Sequence, residues 1–419
     1  PQFQEYVSEI LGKHRPPIPA GTRLELLSLL SYRQMDTLTD PSQLNRLFSH
    51  TTGTSLIYLG LPANLFGPVL TALQDVRFPR GSRIVIEKPF GLSYAESREL
   101  NRIPEASIFR MDHFLGKPTV ENILSLRFDN RLFEPIWNRQ GIQQIEITWN
   151  ENLALEGRGA YYDRTGALKD MIQNHLLQML AVLTMETNSD RTGEDFRDQR
   201  LELFRSIRKM SGTDLRDFTS RARYRAGTIE GKPVPDYVSE EEVDPERETE
   251  TFARVTFWID NPRWMDVPCI LQSGKAFGQE QKEIRIVFRQ PPGGVPDKNS
   301  AGSHNLFRFN LETDTVDLRL CTMNRDNEAR GESLVLDGVL PTSSELPPYA
   351  RLFLEALSGN QKLFVRNDEA EEMWKVIQPI ADGWAEQCVP LQQYKAGSNG
   401  PRARPLSQKS SRLLQKLPA

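Results

Sequence analysis

The chain has 419 residues, enough to bury a large core and to form more than one domain. Its 52 basic and 56 acidic residues leave a formal net charge of −4, with both signs mixed along the sequence. Neither a nucleic acid nor a membrane surface is therefore the expected partner, and a small molecule is. Cys269, Cys321 and Cys388 are odd in number and far apart, which excludes a disulfide framework and zinc-ligand spacing and suits a cytoplasmic setting. The most apolar stretches, such as Leu176 to Met185, fall short of the roughly 20 residues that a membrane span needs.

Residues 1–50 read as helices. Residues 54–60 and 83–86 are short apolar runs, ended by Leu61-Pro62 and by Glu87-Lys88-Pro89, and Asn64 to Leu73 between them has helical spacing. Two buried parallel strands around a helix belong to an α/β sheet. From about residue 140 the grammar changes. Ile145, Ile147 and Trp149 alternate with Gln144, Glu146 and Thr148, and the same alternation recurs at Ile284, Ile286 and Phe288, at Phe307, Phe309 and Leu311, and at Val316, Leu318 and Leu320. That pattern predicts an antiparallel sheet with one face covered. Helical patterns at about 165–186 and 368–386 interrupt it, so this part reads as an α+β domain on one large sheet. The charged, Pro- and Gly-containing stretch 228–250 predicts an exposed loop, and 395–419 a loosely ordered tail.

Five histidines occur, at positions 14, 50, 113, 175 and 304. His175 falls on the apolar stripe Leu168, Met171, Ile172, Leu176, Met179 and Leu183, where it reads either as a hydrogen-bonded core residue or as a base on a rigid helix that needs a carboxylate to orient it. Arg110 to Lys117 gathers an aspartate, a histidine and a lysine, so Asp112 could orient a distant imidazole and His113 and Lys117 could neutralise a phosphate; a charged strand-to-helix turn is the plainer reading. Lys88, held by Pro89, stands at the carboxyl end of a parallel strand, where open α/β sheets bind ligands. Lys275, in Ser273-Gly-Lys-Ala before an expected strand, and Glu151, after Trp149-Asn150, are ordinary exposed groups when taken singly.

Taken together these segments resemble the glucose-6-phosphate dehydrogenase family of bacterial type. Asp112-His-Phe-Leu-Gly-Lys117 is similar to its signature, and Asn130 to Arg139, Glu156 to Asp163, Arg164 to Met179, Thr249 to Ala253, Arg263-Trp264, Val267-Pro268, Gly274 to Ala276 and Tyr394 to Pro401 follow in the family's order. The resemblance implies a partial Rossmann-like coenzyme domain over 1–110 and a large, mainly antiparallel sheet domain with helices over 111–419 for substrate and dimerisation. It implies oxidation of glucose 6-phosphate at C1 to 6-phosphogluconolactone with hydride passing to NADP, the first step of the oxidative pentose phosphate pathway. It also implies a homodimer or homotetramer in the cytoplasm.

By the same resemblance His175 is the general base and Asp112 its orienting carboxylate, His113 and Lys117 hold the phosphate, and Phe114 belongs to the substrate site. Glu151 and Asp170 accept from sugar hydroxyls, Lys88 and Lys275 donate to the sugar, Lys88 also faces the cofactor, and no metal takes part. On one α-helix five positions set Asp170 and His175 roughly 140° apart, which favours Asp112 as the histidine's partner. Phe114 stands where the family more often has Tyr, Glu280 where it has a basic contact with Lys282 offset by two, and a proline, Pro118, unusually follows Lys117. The glycine-rich turn that opens the family is not present before Leu56, so the numbering is expected to start inside a longer chain; a chain beginning at Pro1 would turn over little or nothing. The alternative is a non-catalytic sugar-phosphate-binding relative without a complete cofactor site. A glucose–fructose oxidoreductase-like enzyme would share Glu87-Lys-Pro89 but leaves Asp112–Lys117 and Arg164–Met179 unexplained.

Overall fold

The structure, a computed structural model, describes residues 2–13, 17–35, 37–49, 51, 53–102, 107–186, 193–290, 304–322, 332–341 and 346–401. His14, His50 and most of the expected tail, 402–419, lie outside these residues. The chain divides into two units, one of residues 1–53 and 68–79, the other of 54–67 and 80–419.

The first unit is helical, as the sequence predicts, with helices Gln2–Lys13, Ala20–Leu29 and Pro41–Phe48. The third begins where it does because Asp40 accepts the Ser42 N–H at 2.8 Å and Pro41 fills a first-turn position that needs no N–H.

The second unit holds two large sheets. In the smaller, Leu56–Leu59, Arg83–Glu87 and Ile108–Met111 lie parallel in that order, and Phe364–Val365 closes the edge antiparallel. Val85, Ile86, Ile108, Phe109 and Met111 are all buried, as apolar runs covered on both faces must be. The register sets Glu87 opposite Met111, so Lys88 and Asp112 leave neighbouring strands at their carboxyl ends. The Lys88–Pro89 peptide is cis. Pro118 occupies the first turn of the helix Pro118–Phe128, which accounts for a proline after Lys117.

The larger sheet has nine strands, in the order Glu332–Val339, Thr315–Thr322, Leu306–Asn310, Gln281–Phe288, Ile142–Asn150, Cys269–Gly274, Phe252–Phe257, Thr219–Arg225 and Leu391–Lys395. Its neighbours are antiparallel except for Ile142–Asn150 with Cys269–Gly274 and Thr219–Arg225 with Leu391–Lys395. Ile145, Ile147, Ile284, Ile286, Phe307, Phe309 and Leu311 are buried, as their alternation predicts. Val316, Leu318 and Leu320 are only half-buried, and Asp317 between them is the buried residue. Its carboxylate receives Arg308 Nε at 2.5 Å and Arg319 Nε at 3.2 Å, a pairing that periodicity cannot register.

Ser273 and Gly274 end the strand Cys269–Gly274, and Lys275 follows it ahead of the strand Gln281–Phe288. Two expectations need correction. Residues 228–250 are not simply an exposed loop. They contain the hairpin Gly227–Ile229 with Lys232–Val234, and Tyr237 is fully buried because its ring packs edge-on to Tyr224 and its hydroxyl donates to Asp163 at 2.8 Å. Finally, 165–186 is not one α-helix. The helix Gly159–Ala167 breaks at Gly166, whose φ is 62°; a π-helix follows over Leu168–Leu176, and an α-helix over Leu177–Thr184.

Candidate active site

The π-helix carries Asp170 and His175. With i→i+5 bonding, five positions make roughly one full turn, so the large angular separation expected from α-helical geometry does not apply. The partner choice is nevertheless as expected. His175 Nδ1 meets Asp112 Oδ1 at 2.6 Å, with both side chains 1% exposed. The Phe114 N–H donates to the same carboxylate oxygen at 3.0 Å. Phe114 stacks flat on the imidazole with centroids 4.0 Å apart.

Burial pulls the His175 pKa down, Asp112 pulls it back up, and the net value lies below the ordinary 6.5. Burial pushes the Asp112 carboxyl up, but the charge and hydrogen bond of His175 more than offset this and hold it below 3.8. At neutral pH the pair is thus an imidazole and a carboxylate. Nδ1 is turned to Asp112, and Nε2 is left to take a proton. Ligand atoms of Asp112, His113 and His175 lie within 4.8 Å of one another; the Asp112–His175 hydrogen bond already engages two of them.

Around this pair the other expected residues form two salt bridges. Lys88 Nζ donates to Asp170 Oδ1 at 2.8 Å and to its backbone carbonyl at 2.7 Å, and the Tyr161 hydroxyl donates to Oδ1 at 3.1 Å. Against burial, the Lys88 charge lowers the Asp170 pKa to about 2. Lys275 Nζ meets Glu151 Oε2 at 2.5 Å, because the parallel register sets Trp149 opposite Ser273 and Asn150 opposite Gly274 and so delivers the next residue of each strand side by side.

The cationic end is built around Trp149. Lys117 Nζ lies 5.6 Å from that ring, also over Phe114, and donates to the Leu311 carbonyl at 3.1 Å. Lys282 Nζ lies 5.5 Å from the same ring and is paired with Glu280 at 2.7 Å and Glu312 at 3.2 Å. His113 stacks on Tyr349 at 5.3 Å and meets the His175 ring edge-on at 4.7 Å. Burial lowers the His113 pKa to about 4, and the neighbouring His175 adds to the effect.

The structure thus places the nine expected site residues as the Asp112–His175 pair with the Phe114 and His113 rings against it, the Lys88–Asp170 and Lys275–Glu151 bridges, and Lys117 over Phe114 and Trp149. Tyr161, Trp149 and Tyr349 join them. Tyr161 sits inside the family-like segment Glu156–Asp163 and Trp149 ends an alternating strand, whereas nothing local to Tyr349 signals its place.

The two halves of the chain match known domains. The glucose-6-phosphate dehydrogenase NAD binding domain matches residues 2–122, and the glucose-6-phosphate dehydrogenase C-terminal domain matches residues 124–412. The chain belongs to the glucose-6-phosphate dehydrogenase family. This family member is 36% identical over 427 residues to the glucose-6-phosphate 1-dehydrogenase of Treponema pallidum, covering 96% of this chain and 83% of that protein. It is 34% identical over 412 residues to the Gluconobacter oxydans enzyme of the same name, covering 94% and 82%. Among solved structures, the Mycobacterium avium glucose-6-phosphate 1-dehydrogenase aligns with a TM-score of 0.81 at 30% identity, covering 98% of this chain and 86% of that one. A glucose-6-phosphate dehydrogenase in complex with glucose 6-phosphate aligns with a TM-score of 0.83 at 26% identity, covering 98% and 87%. Among the described residues no helix is long and apolar enough to cross a membrane.

Proposed function

We propose that this chain oxidises glucose 6-phosphate at C1 to 6-phosphogluconolactone, with NADP accepting the hydride. The 2.6 Å bond between His175 and Asp112 carries the reading. A neutral imidazole with a depressed pKa is ready to take the C1 hydroxyl proton on Nε2. The Asp112 carboxylate holds the ring by Nδ1 and stabilises the imidazolium as it forms. Phe114, stacked on the ring, keeps water away from it.

Asp170 and Glu151 accept from sugar hydroxyls while Lys88 and Lys275, already paired with them, donate, so each pair offers a donor beside an acceptor. Lys117, Lys282 and the His113 N–H hold the phosphate, whose binding energy positions C1 against His175. Lys282 supplies the positive charge that Glu280 cannot.

A bound nicotinamide dinucleotide supplies the hydride acceptor. Residues present fit its nicotinamide end. Lys88 lies at the carboxyl end of Arg83–Glu87, the usual ligand edge of a parallel sheet, and its contact with Asp170 brings that edge to the catalytic segment. We assign residues 1–110 to the coenzyme side and 111–419 to substrate and self-association as a homodimer or homotetramer. Supporting the last, the terminal strand of the nine-stranded sheet exposes Leu334, Val335, Leu336 and Val339. Three free cysteines support a cytoplasmic setting.

The test is to mix the full-length natural protein with glucose 6-phosphate and NADP and follow the reduced cofactor's absorbance, with NAD as the comparison. Growth of absorbance is expected. Binding of the sugar phosphate without reduction of either dinucleotide would identify a non-catalytic relative, and failure to bind it would overturn both readings.

A further inference from the structure

Glu250 is buried, yet none of the chemistry above uses it. It lies in the family-like segment Thr249–Ala253, one residue short of the strand Phe252–Phe257, with Thr251 between. The catalytic π-helix restarts after the break at Gly166, and a restarting helix exposes N–H groups with no partner of their own. Glu250 meets two of them from 82 residues away in sequence. Its backbone carbonyl accepts the Ala167 N–H at 3.2 Å, and its Oε1 accepts the Leu168 N–H at 2.9 Å. A Cβ placed on Gly166 would lie 2.4 Å from Oε1, so the glycine provides both the positive φ and the room for this carboxylate.

The neighbours in sequence extend the arrangement. Thr249 Oγ1 donates to the Asp163 carbonyl at 2.7 Å, fixing the helix before the break. The Thr251 carbonyl accepts the Lys275 N–H at 3.0 Å, and the Tyr394 hydroxyl ties the Lys275 carbonyl at 2.6 Å. Residues 249–251 thus hold the start of the segment bearing Asp170 and His175 and, from the other side, the backbone of Lys275.

Burial lifts the Glu250 pKa to about 7, with Arg221 and Lys169 offsetting part of the cost, and no ion pair with a lysine or arginine relieves it among the described residues. A buried acid without a salt bridge is expensive, which argues that its oxygen is kept for the helix start.

We propose that Glu250 is a positioning residue for the dehydrogenase reaction, capping the catalytic π-helix through Leu168 and thereby fixing the directions of Asp170 and His175. The inference rests on the function proposed above. It predicts a loss in kcat with little change in substrate binding, because a small misplacement of the base weakens the transition state more than the bound sugar phosphate.

The experiment compares the full-length chain with E250A, E250D and E250Q, measuring kcat, KM and glucose 6-phosphate affinity, together with the thermal midpoint and amide exchange at residues 167–170. E250A is expected to lower kcat by at least about tenfold with KM and affinity within about threefold, and to speed exchange at Leu168. E250D, which keeps a carboxyl group but withdraws the oxygen by one carbon, is expected to lose kcat similarly and covers the case in which E250A does not fold. E250Q retains an acceptor and should restore kcat to within about threefold of wild type. Unchanged kcat in both E250A and E250D, or a loss in E250Q as large as theirs, would overturn the proposal. A full-length natural protein without turnover would instead refute the function itself, whatever the variants did.

Discussion

The two ends of the candidate site are built from different materials. At one end His175 and Asp112 are sealed, hydrogen-bonded to each other, and held as a neutral base and an ionised acid by opposing effects of burial and charge. At the other, Lys117 and Lys282 stand over a half-buried Trp149, anchored by a carbonyl and two surface carboxylates. The first arrangement suits a group whose charge changes during reaction; the second suits a fixed dianion that is bound throughout. Changes at the first end should therefore appear in kcat, and changes at the second in KM.

The largest expected effect is that of H175N. Removing the base should lower kcat by on the order of 10³-fold while leaving glucose 6-phosphate affinity within a few-fold. A variant that keeps kcat within a few-fold would erase the distinction between the two ends. Next is K117A, which removes a charged contact worth about 1.5–3 kcal/mol and should raise KM by roughly 10- to 100-fold with little change in kcat. An unchanged KM would take Lys117 out of the phosphate site. K282A should raise KM by only about threefold to tenfold, since Glu280 and Glu312 already share its charge. An effect equal to that of K117A would show those carboxylates to be displaced on binding.

The smallest effect at working pH is on stability. Burial depresses both His113, to about 4, and His175. A depressed base favours the fold above its unfolded value near 6.5, and this contribution is lost as pH falls from there towards about 4. Asp170, a carboxylate lowered from 3.8 to about 2, keeps its contribution until pH drops through that lower window. Acid unfolding followed by tryptophan fluorescence should therefore begin at the histidine step; a midpoint unmoved between pH 6.5 and 4 would contradict these assignments.

Much of this was legible in the sequence, and for identifiable reasons. The alternation of Ile145, Ile147, Ile284 and Ile286 follows directly from burial of one sheet face, and Glu87–Pro89 marks the end of a parallel strand. The π-helix was not legible, because over nine residues an apolar stripe fits either helical period, and Glu250, which accepts the N–H of its first residue, is far away in sequence. Asp317 misled for a similar reason. Its burial depends on arginines on its own and a neighbouring strand, not on its own segment's pattern. Lys282 and Tyr349 reach the candidate site only once distant segments are folded together.

The most direct measurement is a double-mutant comparison of kcat for H175N, D112N and the two combined. If the carboxylate acts through the imidazole, the double variant should be no slower than H175N alone, to within about threefold. Falls that multiply would mean that Asp112 and His175 act independently, and would contradict the account.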